Sequence, residues 1–168
     1  MFKKAKELGI TIFSTPFDET AVDLLEELDA PAYKIASFEL IDLPLIKRVA
    51  QTGKPMIMST GMADYEEIRE AVSCAHENGC EDLIVLHCIS GYPSPIDQAN
   101  LATIPDISRE FDCITGLSDH TLGTVVSVAS IVLGACLIEK HVTLSREEKG
   151  PDSEFSLEPH ELKQLCED

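Results

Sequence analysis

The sequence predicts an α/β protein, a partial (β/α)8 barrel of about six βα units around a parallel sheet. Three observations predict it. Short apolar, β-rich runs recur at residues 10–14, 32–36, 56–59, 83–88, 113–117 and 136–141, and amphipathic segments separate them. The runs are mostly apolar rather than alternating, as strands covered on both faces must be. Polar side chains gather just beyond them: Ser14 and Thr15, Lys34 and Ser37, Ser59 and Thr60, His87, then Ser118, His120 and His141. Side chains from many strand ends meeting on one rim are the arrangement of a barrel. A doubly wound sheet would concentrate them at one switch point.

Each element has a local reason. Residues 2–8 read as the end of a helix, and the first run follows at 10–14. Asp18 is placed to accept the free amides of a helical first turn, ahead of Val22, Leu24, Leu25 and Leu28 as an apolar stripe. Lys34 interrupts the second run, and Gly53 suits the C-terminus of the helix behind it. Past the third run Asp64 caps a helix that turns Ile68, Ala71, Val72 and Ala75 inward, with Gly79 at its end. The last two runs deliver His120 and His141, and a final helix starts near Pro159. Six strands fall short of the eight that close a barrel, so both chain ends read as cuts.

At 168 residues one domain is expected. Thirty acidic against thirteen basic residues give a net charge of -17, which repels nucleic acid and anionic membranes. An anionic substrate then needs a local field from lysines, backbone amides and a metal. The six cysteines form no Cys-x-x-Cys pair and sit mostly in apolar runs, where a thiol acts as a small hydrophobe; this fits a reducing, cytoplasmic setting. Neither a leader nor a membrane-spanning stretch is read from the sequence.

Two histidines at the ends of neighbouring strands can share one divalent metal and leave positions open for substrate and water. The plainer reading is that each caps its strand. Lys34 with Ser14, Thr15, Ser37, Ser59 and Thr60 makes an anion pocket suited to phosphate, although hydroxyls also cap helices. A Schiff-base role for Lys34 is the competing chemistry. Glu39 and Glu139 are the carboxylates nearest the rim, with Asp119 and Asp152 close behind, and Tyr92 follows a strand end where it can pack on a substrate. A turn at Gly150-Pro151-Asp152 points Asp152 back over the metal.

Seven ordered motifs resemble the sialic acid synthase family, with pseudaminic acid synthases the nearest likeness. They are Ser14-Thr15-Pro16-Phe17-Asp18, the stretch from Tyr33 to Glu39, Ser59-Thr60-Gly61-Met62, His87 to Pro93, Gly116 to Thr121, Ile138 to Thr143, and Gly150 to Pro159. The resemblance runs nearly end to end. It implies a TIM barrel represented here by strands three to eight, and a cytoplasmic transferase of cell-surface carbohydrate biosynthesis. That enzyme condenses phosphoenolpyruvate with an acylamino sugar and releases phosphate. By the same resemblance Thr15, Lys34, Ser37, Ser59, Ser90 and Ser118 bind phosphoenolpyruvate, and His120 and His141 hold manganese or magnesium. Glu39, Tyr92, Glu139 and Asp152 contact the sugar or the intermediate. Ser90 stands where neuraminate enzymes carry asparagine, which favours a sibling sugar. The family also supplies residues from two earlier strands and an arginine from a C-terminal antifreeze-like domain that reaches the partner of a homodimer. Their lack here leaves a non-catalytic fragment as the alternative.

Overall fold

Seven α-helices and five strands alternate along the chain in the structure, a computed structural model that describes residues 1–168. They fall into two units: residues 1–59 with 63–84, and residues 60–62 with 85–168. The strands, β1 (Tyr33–Ile35), β2 (Met56–Ser59), β3 (Leu83–Cys88), β4 (Ile114–Asp119) and β5 (Ile138–Lys140), follow chain order without reversal, the order of a barrel rather than of a switch-point sheet.

In the first unit, α1 (Phe2–Leu8) ends on Gly9 in the left-handed region. Of the run at 10–14 only Ser14 pairs, through one parallel bridge to Tyr33, while Ile10 is largely exposed. Asp18 caps α2 (Glu19–Glu27) by accepting the Ala21 amide at 2.8 Å. Val22 and Leu25 are buried as expected, but Leu24 and Leu28 are exposed, because a helix this short presents one narrow stripe to its neighbours. β1 (Tyr33–Ile35) pairs in parallel with β2 (Met56–Ser59), Lys34 standing opposite Ile57. Between them α3 (Leu43–Ala50) packs against α4 (Tyr65–Glu77). Asp64 and Glu67 close a capping box on α4, and Ile68, Ala71, Val72 and Ala75 face inward as the spacing predicts.

The second unit takes up the end of β3 (Leu83–Cys88) and continues through α5 (Thr103–Phe111), β4 (Ile114–Asp119), α6 (Val125–Val132), β5 (Ile138–Lys140) and α7 (Pro159–Glu167). Ile104, Leu117 and Val126 are the centre of its core. Gly116 has a packing reason: a Cβ there would lie 2.3 Å from the Leu137 carbonyl oxygen and 2.7 Å from Leu86 Cδ2. Only glycine lets the strands approach this closely. All six cysteines are free, Cys80 and Cys88 buried but Cys136 and Cys166 exposed, so fewer act as core residues than their apolar neighbours suggest.

Candidate active site

The site of the second unit is built by one strand register. β4 and β5 run parallel with Ser118 opposite Glu139 and Asp119 opposite Lys140. The next residue on each strand is His120 and His141, whose ring centroids lie 5.2 Å apart. Successive side chains of a strand alternate between faces, so the serine–glutamate and histidine pairs share one face and Asp119 and Lys140 share the other.

Each imidazole faces an oxygen on its Nδ1 side. His120 Nδ1 lies 3.1 Å from the Ile89 carbonyl oxygen, which can only accept, so this nitrogen carries the proton and Nε2 keeps its lone pair. His141 Nδ1 faces Asp152 Oδ2 at 3.7 Å, placing Asp152 beside the histidine as the turn at 150–152 predicts. Carboxylates and carbonyls in this position orient metal-binding imidazoles. Burial lowers the pKa of both rings, that of His141 further through the neighbouring His120, and keeps them neutral. The pair therefore fits a divalent cation by the chemistry of its donors. No cluster of three or more His, Cys, Asp or Glu side chains is arranged to hold an ion.

Loops complete the wall. Ser94 fixes the segment after β3 by donating its hydroxyl to Ile89 and Gly91 and its amide to the His120 carbonyl. That segment lays Tyr92 against His120 at 4.4 Å between centroids. Burial raises the Tyr92 phenol pKa, with the adjacent Ser90 hydroxyl opposing. From the other side Leu157 donates to the His141 carbonyl and accepts from Thr143, which pins the stretch carrying Phe155. Phe155 packs on His141 at 5.0 Å and on Tyr92 at 5.8 Å. Phe155 was not singled out from the sequence; only its place inside the motif from Gly150 to Pro159 pointed to it. Cys88, likewise unforeseen, has its sulfur 3.9 Å from His120 Nδ1, the nitrogen turned away from any metal.

Two expectations change. Asp119 does not stand beside the rim: it accepts from Thr121 N at 2.8 Å, from Ser127 of α6 and from Lys140 Nζ at 2.8 Å, on the face opposite the histidines. Strand alternation explains the reversal, since Asp119 lies between Ser118 and His120. His87 is buried and bonds the Ala99 carbonyl through Nε2 at 2.8 Å, a structural contact rather than a rim group. Ser118 and Glu139 meet on the histidine face, the serine hydroxyl donating to Glu139 Oε1 at 2.7 Å, a contact that the sequence reading does not contain.

In the first unit the buried Lys34 donates from Nζ to Ser59 Oγ at 2.7 Å and to its neighbour's carbonyl at 3.3 Å. Ammonium and hydroxyl side by side form the start of an anion site. Thr15 is half-buried beyond the bridge at Ser14, and Ser37 and Glu39 lie in the 3-10 turn that follows β1. Glu39 Oε2 is buried without a hydrogen-bond partner, a polar atom with unused capacity.

The NeuB family model matches residues 1–168. The chain is 45% identical over 164 residues to an N,N'-diacetyllegionaminic acid synthase of Campylobacter jejuni, covering 96% of this chain and 49% of that protein. It is 42% identical over 167 residues to a pseudaminic acid synthase of Helicobacter pylori, with 99% and 49% covered. A crystal structure of the N-acetylneuraminic acid synthetase of Leptospira borgpetersenii, in complex with citrate, superposes with a TM-score of 0.95 at 34% identity, over 98% of this chain and 57% of that one. The chain spans about half the length of the curated relatives it matches.

Proposed function

Because the chain belongs to the NeuB family, we propose that it carries the site of a synthase that joins phosphoenolpyruvate to an acylamino sugar, giving a nonulosonic acid and phosphate. The observation that supports this most is the pair of imidazoles, 5.2 Å apart at matched strand ends, under an aromatic wall. A divalent cation, manganese or magnesium, held by His120 and His141 supplies Lewis acidity toward the sugar aldehyde.

The chain's own residues bind and orient. Lys34 and Ser59, with Thr15 and Ser37 at neighbouring strand ends, offer cation and hydroxyls to an anionic phosphate. In the second unit Ser90 and Ser118 offer hydroxyls to the same class of ligand. Glu139, already accepting from Ser118, orients a sugar hydroxyl or takes up a proton. Asp152 holds the His141 ring, Tyr92 packs on the sugar, and Glu39 presents its unused oxygen to a hydroxyl. The enol methylene carbon bonds to the aldehyde carbon, whose oxygen takes a proton; water then adds at C2 and the C2–O bond breaks as phosphate leaves. The reaction partners are small molecules, the longer enzyme a homodimer, and the compartment the cytoplasm. Six free cysteines accord with a reducing setting, and no helix is long and apolar enough to cross a membrane.

Phosphate release is measured from the full chain supplied with Mn2+, phosphoenolpyruvate and the acylamino sugars that lead to pseudaminic and to N,N'-diacetyllegionaminic acid. Release should require all three components and fall more than about 100-fold in His120→Ala or His141→Ala. Full turnover in either variant overturns the metal role. An adduct on Lys34 trapped by borohydride would replace it with Schiff-base chemistry.

A further inference from the structure

We infer that the buried Asp119–Lys140 pair is a positioning clamp that sets the spacing and register of His120 and His141 from the opposite face of the β4–β5 pair. This rests on the metal reading above. The two side chains are 4% and 1% exposed for Lys140 and Asp119, and they meet at 2.8 Å. Every strong bond of the pair ends at a strand tip or on α6. Lys140 Nζ also donates to the Thr121 carbonyl at 2.6 Å, while Asp119 takes the Thr121 amide at 2.8 Å and the Ser127 hydroxyl at 2.5 Å. The residue after each member of the pair is a histidine of the proposed site.

Register is the quantity at stake. Asp119 stands directly opposite Lys140, so the neighbours that follow, His120 and His141, are brought side by side, as are Ser118 and Glu139 before them. A slip of one residue would turn each of these side chains to the other face. An apolar sheet face is nearly indifferent to such a slip, but a buried charge pair is not, because slipping would leave an ammonium and a carboxylate apart and unsolvated. Burying two charges is a poor route to stability, since matched apolar residues serve as well or better, and its best attested use is to specify register.

The test uses the full chain carrying Asp119→Leu and Lys140→Met together, which removes both buried charges at once and leaves neither unpaired. Titration with Mn2+ alone should show affinity reduced about 10- to 100-fold, the cost of disturbing groups that orient ligands, while the thermal midpoint in chelator stays near the parent's. In the same metal-free samples the nuclear Overhauser contact between the His120 and His141 rings should be strong in the parent and several-fold weaker in the double variant. Parental Mn2+ affinity in a folded double variant overturns the clamp. If the parent itself takes up no Mn2+, the metal reading fails, and the ring-to-ring contact then decides the clamp alone: an undiminished contact overturns it. Should the double variant not fold, Ser127→Ala removes the α6 hydroxyl from Asp119 and leaves both charges. A smaller loss of Mn2+ affinity and ring contact is expected there, and parental values of both overturn the proposal.

Discussion

Each unit ties two neighbouring strands with a buried lysine, and the two ties differ in kind. Lys34 stands opposite Ile57 and reaches diagonally to the hydroxyl of Ser59, an ion–dipole contact of 2.7 Å. Lys140 stands directly opposite Asp119 and meets its carboxylate at 2.8 Å. A hydroxyl contact is easily exchanged for a ligand oxygen, so a lysine held this way suits an anion site. An ion pair closed on both sides by backbone and α6 suits a permanent fixture. The same residue type is thus held by a hydroxyl in one unit and by a carboxylate in the other.

The largest expected effect tests that contrast directly. Lys140→Met leaves the Asp119 charge buried and unpaired and should cost about 3–5 kcal/mol. Lys34→Met takes a donor from neutral groups such as the Ser59 hydroxyl and the Ile35 carbonyl, at about 1–3 kcal/mol. Urea unfolding of the two variants measures both, and equal losses would erase the distinction between the ties.

Glycines sharpen it next. Gly116→Ala forces a Cβ into the Leu137 carbonyl and should cost about 1–3 kcal/mol, toward the upper end because the obstacle is backbone. Gly53→Ala in the first unit meets nothing within 4 Å and pays only for its positive φ, about 1 kcal/mol. Thermal midpoints that rank the two in reverse would contradict the close approach of β4 and β5.

Acid should separate the units most gently. In the second unit burial holds the pKa of His87 below its ordinary 6.5. The unfolded chain therefore binds a proton between pH 6.5 and the folded value that the native state refuses, and stability falls as pH drops through this window. His120 and His141 act in the same direction. In the first unit the Glu26 carboxyl is held below its ordinary 4.5 by the Lys54 ammonium and the Tyr33 hydroxyl, so its contribution is intact above 4.5 and is lost only below it. Amide exchange followed from pH 7 to pH 5 should show the second unit losing protection first, by up to about 1.4 kcal/mol per pH unit for each histidine. Loss beginning in the first unit would reverse the assignment.

Much of this arrangement was legible in the residues themselves. Asp18 and Asp64 cap the helices they precede, because a carboxylate three residues from a free amide is a local matter. The apolar runs at 56–59 and 83–88 are strands to the residue, and both histidines stand one position beyond a strand end. Less legible was the run at 10–14, which is apolar enough for a strand but pairs only at Ser14. Asp119 is of the residue type a rim site uses, but strand alternation between Ser118 and His120 turns it to the other face. Phe155 and Cys88 escaped notice because nothing local distinguishes a phenylalanine packed on imidazoles from one in the core.

By itself the sequence determined the alternation of strands and helices, the caps, and the delivery of imidazoles to two strand ends, since each follows from periodicity and hydrogen bonds within a few residues. Only the tertiary structure decided that Ser118, Asp119 and His120 stand level with Glu139, Lys140 and His141. That offset of register is a long-range quantity, fixed by a buried ion pair and by a glycine without a side chain, and no short window of residues contains it.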